Sequence, residues 1–234
     1  MSEQTGRDPA PLTRVQQNLL AVSERRLLTW LCARMPPWVT PDLLTSAGMV
    51  GALAIFTGYA ASHWSSGWLW LAIAGYGLHW FGDSLDGSLA RYRKIERPSF
   101  GYFIDHSCDG LATLLILGGM GLSPFVRLDI ALLALAGYLL LAIHAFLSAR
   151  VIGELKLSHV GAGPTELRLM LVALTLAMMA LGPGPGMFGG YSGFDWFVGI
   201  AGVILILLFV IQTIVTARRL ARMESVTALA RKPD

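Results

Sequence analysis

The sequence predicts an all-α polytopic membrane protein with six transmembrane helices, preceded by an N-terminal amphipathic helix at the membrane interface. Of its 234 residues, 54% are apolar and only 14% are charged, whereas soluble domains carry about 25% charged residues. Most of the apolar residues fall in runs near the length of about 20 residues that a spanning helix needs. One bundle of spanning helices therefore accounts for most of the chain.

The N-terminal segment, residues 1–38, is predicted to be cytosolic and to carry a helix that lies on the membrane surface. The apolar residues of the stretch VQQNLLAVSERRLLTWLCARM share one helical face: Leu20, Leu27, Leu28, Leu31 and Met35. Arg25 and Arg26 lie largely off that face, which is typical of an interfacial helix. A soluble N-terminal appendage is the alternative. Pro36 and Pro37 end the helix, because proline cannot continue one.

The transmembrane domain is predicted over residues 39–222, followed by a cytosolic tail at 223–234. Its clearest apolar runs cover residues 43–62, 67–82, 128–148, 167–184 and 196–216. A sixth run, residues 100–122, is strongly apolar in its second half and carries Asp105, His106 and Asp109 in its first half. We interpret this run as a helix as well, which gives six spans.

The basic residues indicate how the six spans are oriented. Both termini and the loops after the second and fourth spans then share one side, and every basic residue except Arg127 is on it: Arg7, Arg14, Arg25, Arg26, Arg34, Arg91, Arg93, Lys94, Arg97, Arg150, Lys156, Arg168, Arg218, Arg219, Arg222, Arg231 and Lys232. Basic residues that flank spans mark the cytoplasmic face. We therefore expect an integral membrane protein with both termini in the cytosol.

Four aspartates stand out near the cytoplasmic ends of the second and third spans. Asp83 and Asp86 are three residues apart, and Asp105 and Asp109 are four apart. Each pair therefore lies on one face of its helix. Because the connecting loop is short, the two helices are predicted to be antiparallel neighbours whose aspartates converge.

Converging carboxylates repel one another strongly where the dielectric constant is low. They must either be protonated or be neutralised by cations. Mg²⁺ and related hard cations favour oxygen ligands and commonly bind a few carboxylates together with substrate phosphates. Ionisable residues at membrane depth are functional candidates by default.

The residues beside the aspartates fit a phosphate-handling site. Arg91 carries a planar, permanently charged guanidinium that suits phosphate oxygens. Gly87, Ala90 and Gly101 are small, so a ligand can approach the backbone closely. Ordinary helix packing is the alternative explanation for these small residues.

Taken together, this stretch resembles the signature of the CDP-alcohol phosphotransferase family. The matching pattern is Asp83-x-x-Asp86-Gly87-x-x-Ala90-Arg91, nine residues, then Gly101-x-x-x-Asp105-x-x-x-Asp109. The resemblance implies transfer of a substituted phosphoryl group from a CDP-linked donor to an alcohol, with release of CMP. It also implies two Mg²⁺ or Mn²⁺ ions per active site and a homodimer.

The resemblance assigns a role to each signature position. Asp83, Asp86 and Asp105 would be metal ligands, and Asp109 would be the catalytic base that deprotonates the alcohol and also contacts the second metal. The remaining positions would line the CDP-binding pocket: Gly87, Ala90, Arg91 and Gly101.

The alcohol site is predicted from weaker patterns. Gly163-Pro164-Thr165-Glu166 precedes the fifth span and looks like the branch of the family that transfers choline or ethanolamine phosphate, as does Asp105-His106-x-x-Asp109. An ordinary helix start is the alternative, since acidic residues are favoured there. The candidate acceptor or head-group residues are His106, Arg150, Lys156, Glu166 and Arg168. Glu166 would suit a cationic head group, and the basic residues an anionic acceptor.

A second short pattern precedes the first span. The run from Thr40 to Thr45 resembles the T-P-N-x-L-T start of that span in many family members, with Asp42 in place of asparagine. Asp42 would either contact the nucleotide or cap the helix.

The leading interpretation is a phospholipid-synthesis enzyme that uses CDP-diacylglycerol and a small polar alcohol. The alternative is transfer from CDP-choline or CDP-ethanolamine to diacylglycerol. A cation transporter is a third interpretation, although transporters hold their intramembrane acids near the bilayer midplane. The predicted partners are the membrane and the two substrates, one of them a lipid; no nucleic-acid partner is expected.

Overall fold

The computed structural model describes residues 21–152, 163–184 and 190–230, which are helical except for connecting turns. Lys156 and the first part of the predicted interfacial helix, residues 15–20, lie outside these ranges. The helices are α1 (Ala21–Arg34), α2 (Pro41–Ala61), α3 (Leu69–Arg93), α4 (Pro98–Gly121), α5 (Leu128–Ile152), α6 (Pro164–Leu181) and α7 (Gly193–Ala230), with a short 3-10 turn at Ser66–Trp68.

The all-α membrane class predicted from the sequence is confirmed. Within the described residues, four helices are long and apolar enough to cross a membrane, namely α2, α5, α6 and the Gly193–Ser225 part of α7. The helices α3 and α4 are not in this set, because the aspartates and their polar neighbours lower the mean hydropathy of both. The count of six spans therefore stays a prediction.

The closest packing in the bundle is between α2 and α3. A Cβ atom added at Gly82 would lie 2.4 Å from the backbone nitrogen of Gly48, and one added at Gly51 would lie 2.5 Å from the nitrogen of His79. Small residues let helix backbones approach in this way inside membranes. As a result, the first two turns of α2 lie directly beside the aspartates of α3.

The helix α2 also packs against α4, where Gly119 lies against the backbone of Phe56. The helices α3 and α4 make little backbone contact with each other, which differs from the direct packing expected from their short connection. Facing carboxylates do not pack against each other without a cation or water between them. The shared neighbour α2 therefore brings the two aspartate pairs together.

A buried polar cluster joins α6 to this core. The Tyr59 hydroxyl lies 2.7 Å from the Thr175 hydroxyl and 3.2 Å from the Tyr76 hydroxyl. These hydroxyls satisfy one another, as buried polar groups in folded proteins generally do. They connect α2, α3 and α6 in the middle of the bundle.

The remaining helix, α7, packs along α5. Close contact is again made by glycines, since a Cβ at Gly202 would lie 2.9 Å from the Cα of Ala134. At the start of α7, the buried Asp195 carboxylate accepts hydrogen bonds from the backbone N–H groups of Arg127 (2.7 Å) and Ser192 (2.8 Å). This links the α4–α5 connection to the first turn of α7.

The described part of the predicted interfacial helix, α1, packs on the bundle with one apolar face. Leu28, Leu31 and Cys32 lie against Leu85 and Leu89 of α3. Burial raises the pKa of the Cys32 thiol, which keeps it neutral as a small apolar residue.

One residue of the predicted apolar face is placed differently. Leu27 is 44% exposed, because it lies about 100° around the helix from Leu28, which faces the bundle. Leu27 therefore does not pack on the bundle. Whether α1 also contacts lipid stays a prediction.

The linker between α1 and α2 is held by Arg93 at the end of α3. Its guanidinium donates hydrogen bonds to the carbonyls of Val39 (2.6 Å), Pro36 (2.8 Å) and Met35 (3.1 Å). Arg93 therefore fixes the position of α1 relative to α3.

Replacing Gly51 by alanine should destabilise the protein, because the new methyl group would overlap the α3 backbone. Overpacking of this kind typically costs about 1–3 kcal/mol. We expect a lower thermal unfolding midpoint for the G51A variant in detergent. Gly77→Ala is the matched control, since no atom of the residues that the structure describes lies within 4 Å of a Cβ at that position. Equal midpoints for the two variants would contradict the close α2–α3 contact.

Candidate active site

Three of the four predicted aspartates line one cleft between α2, α3 and α4. The lining residues of this cleft are Thr45, Gly48, Met49, His79, Asp83, Asp86, Asp105 and Cys108. Asp109 follows one turn after Asp105 on α4 and is half-buried. The spacing argument therefore predicted the convergence of α3 and α4 aspartates correctly.

The carboxylate of Asp86 is held by both of its oxygens. The Thr45 hydroxyl donates a hydrogen bond of 2.6 Å to Oδ2, and the backbone N–H of Gly87 donates to Oδ1. Thr45 reaches Asp86 because the glycine contacts between α2 and α3 bring the two helix backbones together. The orientation of Asp86 is thereby fixed before any ligand binds.

Asp83 is paired with a residue from a distant part of the chain. The Arg168 guanidinium, on the second turn of α6, donates a hydrogen bond to Oδ2 of Asp83. The two side chains are only 12% and 22% exposed, so the ion pair is shielded from water. Arg168, predicted for the acceptor pocket, therefore contacts a predicted metal ligand.

On α4, His106 lies between the two aspartates. Its Nδ1 atom is 3.7 Å from Oδ2 of Asp105 and 3.8 Å from Oδ2 of Asp109. These distances are too long for hydrogen bonds, but the three side chains each offer a ligand atom within 4.8 Å of the others. The imidazole packs between Tyr102 and Phe146, with ring centroids at 4.3 and 4.9 Å. His106 thus belongs to the site, although it follows Asp105 directly on the helix.

The donor atoms of the cleft fit a hard divalent cation. Asp83, Asp86 and Asp105 present carboxylate oxygens to one small space, and oxygen ligands of this kind are preferred by Mg²⁺ and Mn²⁺. Arg168 supplies one positive charge to compensate the carboxylates. Bound cations would supply more positive charge and so relieve the remaining repulsion between the carboxylates. The residues present therefore fit the predicted metal site.

The predicted CDP-binding residues lie on α3, where Ala90 and Arg91 follow Gly87 by three and four residues, and on the first turn of α4, which holds Gly101. The Arg91 guanidinium folds back over Gly87, where an added Cβ would lie 3.3 Å from Nη1, and it donates a hydrogen bond to the Ser88 hydroxyl at 3.3 Å. A Cβ at Gly101 would meet no described residue within 4 Å, so packing against the described helices does not explain that glycine. Ala90 is half-buried.

The remaining acceptor candidates are not all brought to the aspartates. At the start of α6, the Glu166 Oε2 accepts a 3.0 Å hydrogen bond from the backbone N–H of the N-cap residue Gly163, which is the glutamate half of a capping box. This geometry favours the helix-start interpretation of Glu166. Arg150 is exposed on the last turn of α5, and Lys156 lies outside the described residues.

The start of α2 excludes one of the two alternatives for Asp42, and contact with the nucleotide stays a prediction. The N-cap is Thr40, whose hydroxyl accepts a 3.2 Å hydrogen bond from the N–H of Leu43. Asp42 lies in the first turn and pairs with Arg97. Asp42 is therefore not the capping residue, because Thr40 occupies that position.

Two residues that sequence reasoning missed belong to the surroundings of the site. His79 is only 6% exposed, lines the cleft, and its Nδ1 lies 3.1 Å from the carbonyl oxygen of Gly48. Its position four residues before Asp83 could have identified it. Glu24 accepts hydrogen bonds from Trp80 and Thr165, and no local pattern in the sequence indicates these contacts.

Comparison with known proteins identifies the family. A sequence model described as CDP-alcohol phosphatidyltransferase matches residues 38–216. This range covers most of the chain and includes the whole cleft. The chain belongs to the CDP-alcohol phosphatidyltransferase family.

Individual relatives within the CDP-alcohol phosphatidyltransferase family carry different names. An archaetidylinositol phosphate synthase of Methanothermobacter thermautotrophicus is 29% identical over 70% of this chain and 74% of its own length. A phosphatidylinositol phosphate synthase of Cutibacterium acnes is 38% identical over 36% of this chain and 38% of its own length. Cholinephosphotransferase 1 of Gallus gallus is 29% identical over 47% of this chain.

The matches to the cholinephosphotransferases are partial. The chain spans 37% of the length of the Gallus gallus protein and 25% of the length of cholinephosphotransferase 1 of Danio rerio. The names of these relatives indicate different alcohols, so the family alone does not identify the alcohol.

Thr45→Val should weaken binding of Mn²⁺, because Asp86 would lose the hydroxyl that orients it. Loss of such an outer partner typically lowers metal affinity about 10–100-fold. Thr57→Val is the matched control on the same helix, since among the described residues the Thr57 hydroxyl bonds only to the Leu53 carbonyl. Titration of the purified protein with Mn²⁺, followed by electron paramagnetic resonance, measures both variants. Equal affinities would contradict a role for Asp86 as a ligand.

Proposed function

We propose that the chain is a divalent-cation-dependent enzyme of phospholipid synthesis. It transfers a substituted phosphoryl group from a CDP-linked donor to an alcohol and releases CMP. The observation that carries this proposal is the single cleft lined by Asp83, Asp86 and Asp105, with the Arg91 guanidinium on the same helix. Membership of the family supports it.

The carboxylates of Asp83, Asp86, Asp105 and Asp109 would hold the cations. Two Mg²⁺ or Mn²⁺ ions would neutralise the pyrophosphate and stabilise both the attacking and the leaving oxygen. Thr45 keeps the Asp86 carboxylate in a fixed orientation. Preorganised ligands of this kind reduce the reorganisation that the reaction requires.

The nucleotide would bind along α3 and the start of α4. Arg91 is exposed at the end of α3, where its planar guanidinium can donate to phosphate oxygens in a bidentate manner. Gly87, Ala90 and Gly101 leave the adjacent backbone accessible. These residues would orient the donor so that its pyrophosphate group, which contains the bond that breaks, lies next to the carboxylates.

Asp109 would act as the general base. Its carboxylate accepts the proton of the acceptor hydroxyl while the alcohol oxygen forms a bond to the β-phosphorus of the CDP group. The bond between this phosphorus and the bridging oxygen of the pyrophosphate breaks, and CMP leaves with that oxygen. The proton then passes from Asp109 to solvent.

We favour CDP-diacylglycerol, or a similar CDP-linked lipid, as the donor, with a small polar alcohol as the acceptor. A relative that aligns over 70% of this chain and 74% of its own length is named an archaetidylinositol phosphate synthase, which supports this choice. Arg168 adds a positive charge next to the aspartates, and a positive charge suits an anionic acceptor.

Transfer from CDP-choline or CDP-ethanolamine to diacylglycerol is the second candidate. It is favoured by the match to cholinephosphotransferase 1 and by the position of His106 between Asp105 and Asp109. The His106 Nε2 atom is buried and has no hydrogen-bond partner among the described residues. Its donor or acceptor capacity is therefore available to a substrate.

The membrane arrangement completes the proposal. We place both termini and the cleft on the cytoplasmic side, where CDP-linked substrates and CMP exchange with water. The large apolar residues exposed on α7, including Ile204, Leu207 and Ile211, would face lipid or the second subunit of a homodimer.

A panel of substrates tests the reaction. The purified protein in detergent should release CMP when supplied with Mg²⁺ or Mn²⁺, a CDP-linked lipid and a polar alcohol such as glycerol phosphate, inositol phosphate or serine. The same panel includes CDP-choline and CDP-ethanolamine with diacylglycerol, so the productive pair identifies the donor. Absence of CMP with every pair would contradict the proposed function.

Asp109→Asn should abolish turnover while leaving CDP binding largely intact, because asparagine cannot accept the proton of the alcohol. The decrease in kcat should be at least about 100-fold, the lower end of what a positioned general base contributes. Calorimetric titration with CDP and Mn²⁺ measures the retained binding. Loss of the folded protein instead of turnover would show that Asp109 has a structural role.

A further inference from the structure

Glu24, on the N-terminal helix α1, contacts two helices that carry site residues. Its Oε1 atom accepts a 3.1 Å hydrogen bond from the Trp80 indole N–H on α3 and a 2.6 Å hydrogen bond from the Thr165 hydroxyl on α6. All three side chains are half-buried. One carboxylate oxygen therefore joins α1, α3 and α6.

The two donors are each one turn away from the ion pair in the site. Asp83 follows Trp80 by three residues, and Arg168 follows Thr165 by three residues. Residues three apart lie on the same face of a helix. The Glu24 contacts and the Arg168–Asp83 contact are thus neighbouring layers of one α3–α6 interface.

Polar contacts are prominent in the attachment of α6. Thr165, Arg168 and Thr175 share one face of this helix and contact Glu24, Asp83 and Tyr59 respectively. Large apolar residues on the other faces are exposed, among them Leu169, Leu176 and Leu181. Leu174 and Met178 bury the later turns of α6 in the core, whereas Glu24 contacts its first turn.

We propose that Glu24 is a positioning residue of the active site. By holding the first turn of α6 against α3, it keeps the Arg168 guanidinium on Asp83 and so keeps the Asp83 carboxylate oriented for cation binding. The proposal rests on the proposed function, since it takes Asp83 to be a metal ligand. It assigns to α1 a role in catalysis beyond contact with the membrane.

The geometry separates this role from two alternatives. In one, only the negative charge of Glu24 matters; in the other, only the packing of α1 on α3 matters. Both donors to Glu24 are neutral, so an uncharged acceptor oxygen of the same reach should serve, and Glu24→Gln should retain the function that Glu24→Ala loses. If α1 were held only by the packing of Leu28 and Leu31 on α3, Glu24 would have no effect on cation affinity.

The test is Mn²⁺ affinity, measured by electron paramagnetic resonance on the full-length protein in detergent. Glu24→Ala and Arg168→Gln should each weaken Mn²⁺ binding about 10-fold, the usual effect of removing an outer partner. Glu24→Gln should stay within about twofold of the wild type. The E24A/R168Q double variant should bind no more weakly than R168Q alone, because both changes act through the same contact.

Controls keep the result specific. Glu224→Ala removes an equal charge from an exposed position on α7 and should leave Mn²⁺ affinity unchanged. Thr165→Val removes the α6 donor alone and should reproduce the effect of E24A, so it replaces E24A if that variant does not fold.

Three results would overturn the proposal: wild-type affinity in both E24A and T165V, equal weakening in E24Q and E24A, or tighter Mn²⁺ binding in R168Q. Failure of the proposed function is distinguishable from all three. In that case the wild type would release no CMP with any donor, whatever the order of the Mn²⁺ affinities.

Discussion

Repulsion between carboxylates is the constraint on which this structure depends. Two unit charges 4 Å apart interact by about 4 kcal/mol at an effective dielectric constant of 20, and the cleft collects three aspartates with a fourth one turn away. The Arg168 guanidinium, the Thr45 hydroxyl and the Gly87 N–H stabilise individual carboxylates. Together these three groups carry a single positive charge. The proposed cations supply the remaining positive charge that compensates the aspartates.

The fold brings these groups together through backbone contact. Glycines on α2 and α3 allow the two helices to touch, which places Thr45 beside Asp86. The same helix α2 also contacts α4, so the two aspartate pairs face each other without direct packing of α3 on α4. The contacts of α1 and α6 then add the outer layer, in which Arg168 contacts Asp83 and Glu24 contacts the neighbouring turns of α3 and α6.

The sequence predicted the helices well because hydropathy and helix-ending residues are local signals. The apolar run at residues 67–82 covers only part of α3, which continues to Arg93, and the helical spacing of Asp83 and Asp86 had already indicated that the helix extends beyond this run. Spacing also predicted which aspartates share a face. The ion pair of Arg168 with Asp83 and the hydrogen bond of Thr165 to Glu24 join residues 85 and 141 positions apart, and no periodicity in one sequence indicates such contacts.

The central claim is that the aspartates of α3 and α4 jointly bind divalent cations. An experimental structure of the protein with Mn²⁺ and CDP, with the ions located by anomalous scattering, tests it most directly. The account predicts anomalous signal between the carboxylate oxygens of Asp83, Asp86 and Asp105. The distances from the ions to these oxygens should be close to those of Mg²⁺ sites, which are about 2.1 Å. Anomalous signal confined to other parts of the molecule, with CDP bound away from Arg91, would contradict it.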